Sequence, residues 1–217
     1  MKDAFRTFWE ALKDFWDELF LLTLMNIVTA LLAIPVVTLP PALAGLWNGA
    51  NLAAKGKTIS WSDYFGGFRR YFWKAWGLAL LHVLVIIILL TNIWFYGQED
   101  TPFKISETVR VWIQAFFVVA GALWMLYQMY PLAMLLEQED QRLRMTLRNA
   151  AIVFIANPTF SIVLGLLLLV VTAVSVLLPM LWFLITLALF AVVCNKAVLH
   201  LLKPHRERIK TESDKEH

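Results

Sequence analysis

The sequence is short of charge and of cysteine, and each shortage excludes whole classes of protein. Charged residues make up only 16% of the 217-residue chain. No Asp, Glu, Lys, Arg or His occurs from Asn149 to Asn195. Leu19–Ala54 and Val111–Leu136 are equally uncharged, and Ala75–Gln98 holds only His82. A charge at mid-bilayer costs about 2.5–3.5 kcal/mol, so four such gaps mark a polytopic membrane protein and exclude a soluble domain. A membrane pass needs about 20 apolar residues. The longest gap therefore holds two passes, with Pro179 at the turn between them. Cys194 is the only cysteine, which excludes an intrachain disulfide framework and a thiolate metal site. Neither a nucleophile–base pair nor a metal-ligand set is visible, so the sequence points to no enzyme, no cofactor and no metal.

What is present is apolar and aromatic. The chain is 60% hydrophobic with a mean hydropathy of +0.66, and nothing outside the spans is long enough for a second domain. The net charge of +3 fits basic loops on one membrane face better than nucleic-acid binding. Ala42-Leu43-Ala44 resembles a leader cleavage site. The apolar stretch before it is too long, however, and Asp14, Asp17 and Glu18 precede that stretch, so the first span is expected to stay uncleaved.

The expected fold is all-α: a polytopic helix bundle of about five transmembrane helices with three accessory helices. The spans are placed at about 19–37, 75–96, 111–136, 158–178 and 180–199, within a single membrane domain of residues 1–202. Residues 203–217 form a charged tail expected to be frayed. In residues 2–20, Phe5, Phe8, Trp9, Leu12, Phe15 and Trp16 recur at helical spacing opposite charged positions, which predicts an interfacial amphipathic helix. Pro35, Pro40 and Pro41 end the first span. Residues 41–54 then form a helix too short to cross, expected to be re-entrant or interfacial, with Gly45, Gly49 and Ala53 as a ridge for close packing. Ser60 and Asp63 have capping-box spacing. They open an aromatic-basic helix over Ser60–Lys74, in which Trp61, Phe65, Phe68, Arg69, Arg70, Phe72 and Lys74 are candidates for contact with the membrane surface or a partner. Trp73 and Trp76 against Trp94 and Tyr96 make an aromatic belt for the second span.

Basic residues concentrate in the first connector (Lys55, Lys57, Arg69, Arg70, Lys74), the third (Arg142, Arg144, Arg148) and the C-terminal tail. Only Lys104 and Arg110 lie between the second and third spans. The positive-inside rule then puts the C-terminus in the cytoplasm; five crossings put the N-terminus outside, and a first span that is half of a hairpin with a dipping Ala42–Ala54 puts it inside. Polar residues inside the spans are Asn26, His82, Asn92, Gln114, Gln128, Asn157 and Asn195. Each is costly facing lipid and is expected to face the bundle interior, where the choice is between interhelical hydrogen bonding and a solute cavity. His82, with no intramembrane carboxylate near it in sequence, is expected neutral and bonded to a backbone carbonyl. Glu137, Glu139 and Asp140 are expected on a solvated face.

Several of these residues also carry a family resemblance. Ile34-Pro35-Val36-Val37-Thr38, then Pro41-Ala42 and Leu46 ahead of Lys55-Gly56-Lys57, resemble the N-terminal signature of YesL-like bacterial membrane proteins. Asn26 and the run Asp63-Tyr64-Phe65-x-x-Phe68-Arg69-Arg70-x-Phe72 fit the same pattern. A second block is similar around Tyr130-Pro131-Leu132, Leu147-Arg148-Asn149-Ala150 and Pro158. The resemblance implies about five spans in a bacterial plasma membrane, no established chemistry, and an association with carbohydrate uptake. Together the residues and the resemblance suggest a non-enzymatic accessory or scaffold protein in the lipid bilayer, working beside sugar importer subunits. The alternative is a small-solute transporter or channel lined by Asn92, Gln114 and Gln128.

Overall fold

The computed structural model describes residues 1–98 and 106–213; Lys104 therefore lies outside the described residues, as do the last four positions. The described chain is helical throughout its elements. These are α1 (Lys2–Asp17), α2 (Leu19–Ala33), α3 (Leu39–Ala54), α4 (Trp61–Arg70), α5 (Phe72–Gly97), α6 (Glu107–Tyr127), α7 (Pro131–Glu137), α8 (Leu143–Ala156), α9 (Pro158–Leu177) and α10 (Leu187–Ser213). A π-helical turn, Trp182–Thr186, leads into α10. Four segments are long and apolar enough to cross a membrane: Phe72–Gly97, Glu107–Glu137, Pro158–Leu177 and Trp182–Pro204. A fifth crossing exists only if α1 and α2, bent by 90° at Glu18, are counted as one.

That bend changes the expected first span. Alone, α2 is 15 residues, about 22 Å long, and short of a hydrocarbon core of about 30 Å. It turns back through residues 34–38 into α3, so α2 and α3 form a hairpin. Val36 adopts φ 61° in this turn, a strained setting for a β-branched residue. The turn is held by Thr38, whose hydroxyl donates to the Leu32 carbonyl, and by the Trp76 indole, which donates to Val37 O at 3.0 Å.

The core is built around α3. Pro40 and Pro41 start it where no backbone donor is needed, and both are buried with Ala42, Ala44, Leu46, Ala50 and Ala53. The small-residue ridge is used as close-approach surface: a Cβ on Gly45 would sit 2.7 Å from Tyr64 O, and one on Gly49 would sit 3.0 Å from Met25 Sδ. Residues 41–54 are thus a central helix packed by α2, α4 and α10. Small side chains permit this close packing on several sides.

Helix α1 shows three faces. Ala4, Thr7, Ala11 and Phe15 are buried against α10 and α9, Phe5, Trp9 and Trp16 are exposed, and the charged positions fill the remainder. Its ion pair Asp14–Lys196, at 2.6 Å, ties its last turn to the same end of the bundle as Ala54, whose carbonyl accepts from Lys196 Nζ at 3.2 Å. Asp14 and Lys196 thus lie at one end of the bundle, whereas the five-crossing expectation put the N-terminus and the C-terminal tail on opposite membrane faces. That expectation took residues 19–37 as a complete crossing, whereas α2 ends at Ala33 and the chain turns through residues 34–38 into α3. The tail also differs from expectation: α10 continues as helix through Lys203 to Ser213, across Pro204. The residues there are mostly Lys, Arg and Glu, good helix formers, with Lys203 and Glu207 at i,i+4 and 4.0 Å apart.

Candidate functional site

Of the two expectations for the intramembrane polar side chains, hydrogen bonding within the bundle is met most fully at Asn26. This fully buried residue of α2 sends Nδ2 to the carbonyls of Trp182 and Phe183, both at 2.8 Å. Its Oδ1 accepts from the Ala188 N–H at 2.8 Å. A π-helical turn shifts the backbone register and leaves groups that an ordinary helix would pair. Asn26 pairs them from a neighbouring helix, and the Ser175 and Thr186 hydroxyls meet beside it at 2.8 Å. The interhelical hydrogen-bonding expectation holds for this residue.

A second polar constellation joins α3, α7 and α10. Asn51 Nδ2 donates to Glu137 Oε1 at 2.6 Å and to Asn195 Oδ1 at 3.0 Å. Asn195 in turn donates to the carbonyls of Ala191 and Trp47. Lys55 Nζ approaches Glu137 Oε1 at 2.5 Å, with the Glu137 side chain 2% exposed. Glu137 is therefore a buried, paired acid, while Glu139 and Asp140 are exposed as expected. Sequence reading misplaced Glu137 because it treated the charged connector as a unit, whereas α7 carries its last residue back onto α3. Lys55 is the one clue, since a burial site for an acid needs a cation close by.

The other intramembrane candidates do not come together. Asn92 bonds its own helix at Ile88 O, 2.7 Å, and Asn157 does the same at Val153 O, 3.1 Å. Gln114 reaches across to Ile93 O at 3.2 Å, and Gln128 sits half-buried at the end of α6. His82 accepts from the Trp124 indole at Nδ1, 3.1 Å, and stacks on it at 14°. Its partner is thus an aromatic donor, not the expected backbone carbonyl, and acceptance at Nδ1 requires that nitrogen to be unprotonated. Two clefts open between the spanning helices, about 550 Å³ beside α6 and α9 and about 630 Å³ among α5, α6 and α8. Both are lined almost wholly by apolar and aromatic side chains, and none of Asn92, Gln114 or Gln128 lines either.

The aromatic-basic segment is two helices. The capping box forms as expected, with Ser60 N–H donating to Asp63 Oδ2 at 2.8 Å. The helix stops at Arg70, and Phe72 and Lys74 belong to α5. The break is at Tyr71, 3% exposed, which packs with Ala44, Ala75 and Leu135. Arg70 and Lys74 sit over its ring at 5.5 and 5.9 Å, and Lys74 donates to Gln141 at 2.9 Å. The anchor that sequence reading passed over is Tyr64, which is fully buried with its hydroxyl 2.9 Å from that of Thr29. Burial pushes its phenol pKa up, and the Thr29 hydrogen bond pulls it part of the way back. Trp61, Phe65, Arg69 and Arg70 are exposed and Phe68 is half-buried, so α4 keeps an outward aromatic and basic face.

The motif residues have packing roles. Pro35 and Thr38 shape the α2–α3 turn, Pro41, Ala42 and Leu46 are in the α3 core, and Pro158 occupies the first position of α9. Asn149 donates to Gln138 at 3.1 Å, joining α8 to the segment that follows α7. These features define a polytopic all-α membrane bundle centred on the buried helix α3. Residues 19–93, from the start of α2 through most of α5, match the model of a family described as "Protein of unknown function, DUF624", in agreement with the YesL-like resemblance. No match was found among curated proteins or solved structures.

Proposed function

We propose that the protein is a non-enzymatic membrane accessory or scaffold that holds a partner at the bilayer, with a carbohydrate-uptake system as that partner. The observation that carries the first part is the use made of intramembrane polar groups. Asn26, Asn51 and Asn195 bond backbone and neighbouring side chains within the bundle, and the two clefts beside α6 are lined almost wholly by apolar side chains. A solute path would need polar groups converging on one cavity. The partner rests on the family resemblance, and the exposed aromatic-basic face of α4 is the surface we assign to it. We also propose that both termini, the Lys55–Ser60 connector and α8 face the cytoplasm of a bacterial plasma membrane. The basic residues near α3, α8 and α10 support this, together with the Asp14–Lys196 pair.

Uptake into liposomes and co-purification from native membranes test the function together. The expected result is no solute flux from the purified protein and recovery of importer subunits, reduced by Arg69→Glu with Arg70→Glu. Robust flux from the protein alone would replace this reading with the transporter one. For sidedness, cysteines at Lys2 and Lys57 should be labelled by an impermeant reagent only after permeabilisation, and one at Gln98 in intact cells.

A further inference from the structure

The cleft among α5, α6 and α8 is lined by a face of α8 that continues, toward the start of that helix, into two arginines. On α8, Arg144, Arg148, Ala151 and Ile155 follow at intervals of four, three and four, one continuous helical stripe. Ala151 and Ile155 line the cleft, facing Leu81, Val85, Leu123 and Trp124. The stripe is therefore cationic at its N-terminal end and apolar where it enters the cleft. Arg144 and Arg148 are exposed and, among the described residues, have no acidic partner. By contrast, Arg142 has Asp140 at 3.7 Å and Arg6 has Glu10 at 3.6 Å. The setting of α8 is fixed at two points. Tyr127 donates to Leu147 O at 3.0 Å, and Leu143 seats against Gly77, where a Cβ would come within 2.4 Å of Leu143 Cδ1.

We infer that this cleft is a binding site for one anionic phospholipid, with its acyl chain beside Trp124 and its phosphate at Arg144 and Arg148. An apolar groove alone accepts any chain. Two unpaired guanidiniums on the same stripe add bidentate phosphate donors and make the site selective for headgroup charge. The α6–α9 cleft is the internal contrast: its polar lining residue, Thr172, has its hydroxyl bonded to Leu168 O, so it offers an acyl chain no headgroup contact.

Native mass spectrometry of the full chain in detergent tests this, using equal amounts of phosphatidylglycerol and phosphatidylcholine with identical oleoyl chains. The expected result is one retained lipid, with the anionic one favoured about thirtyfold, the effect of two basic groups at a membrane surface. Arg144→Gln with Arg148→Gln should abolish the preference; both side chains are exposed, so the fold is kept. Ala151→Phe should reduce retention of both lipids by filling the cleft. Arg69→Gln with Arg70→Gln, on α4, should leave the preference intact. Equal retention of the two lipids by the parent protein, or an unchanged preference in the Arg144/Arg148 variant, overturns the proposal. So does retention unaffected by Ala151→Phe.

Discussion

Helices α3 and α5 invert the usual link between hydrophobicity and burial. Helix α5 is the longer and more apolar of the two, yet Ala75 is its only buried residue; Trp73 is 81% exposed and Trp94 65%. Helix α3 is rich in Gly, Ala, Pro and Asn, and most of its residues are buried. In a bilayer, lipid chains are as apolar as leucine, so large apolar side chains gain nothing by leaving them. What gains from leaving lipid is the small residue that permits close contact and the amide that needs a partner. The α5–α6 hairpin is solvated by lipid, and α3 is solvated by protein.

The sharpest way to break this comparison is to change one glycine on each side. At Gly45 an added Cβ would lie 2.7 Å from a backbone oxygen that cannot rotate away, so Gly45→Val should prevent folded protein from accumulating. At Gly121 on α6 the nearest atom to a Cβ is Leu89 Cδ1, at 3.9 Å. Gly121→Ala should therefore leave Tm unchanged or raise it, since alanine is favoured over glycine in a helix by about 1 kcal/mol. Size-exclusion profiles after detergent extraction and heating read both. If the two variants behave alike, close packing at α3 is not what sets the core.

Next in size is the buried acid. Glu137→Ala leaves Lys55 and the Asn51 amide facing a void, and breaking such a pair costs about 3–5 kcal/mol. Glu137→Gln keeps an acceptor for Asn51 and should lose less. Asn26→Leu follows, at about 3 kcal/mol, because two carbonyls and one N–H around the π-helical turn lose their partner. The matched change on the lipid side, Asn92→Leu, removes only a bond to its own helix and should alter stability by under about 1 kcal/mol. Equal losses at Asn26 and Asn92 would mean that the π-helical turn satisfies itself.

The α5–α6 half was the more legible in sequence. Long uncharged runs and tryptophans placed the crossings, and Trp73 and Trp94 lie about 30 Å apart along α5, matching the hydrocarbon core. The α1–α4 half was less so. Its residues were singled out, with Asn26, Gly45, Gly49 and the Ser60 cap all in structural use, but their arrangement was not evident. A charge-free run of 36 residues, Leu19–Ala54, reads as one span and a fragment, when the chain makes two short helices back to back. Burial of Glu137 and Tyr64 was hidden for a related reason. Both reach their partners through tertiary contacts, Glu137 with Asn51 and Lys55 and Tyr64 with Thr29, and no local periodicity records such contacts.

The smallest expected effect is the most informative about the lipid-facing half. Trp124 donates to His82 across the α5–α6 hairpin, the one described side-chain hydrogen bond between two side chains of these helices. If the hairpin is held mainly by lipid solvation and apolar contact, Trp124→Phe should cost little: interhelical hydrogen bonds in membranes average about 0.6 kcal/mol. Phenylalanine keeps an aromatic face for the His82 ring and removes only the donor. His82→Leu should be similarly mild, and the double variant should lose no more than the two single losses combined. A loss above about 2 kcal/mol for Trp124→Phe, restored by a second change at His82, would show that α5 and α6 depend on a polar lock as α2 and α10 do. The contrast between the two halves would then be one of degree.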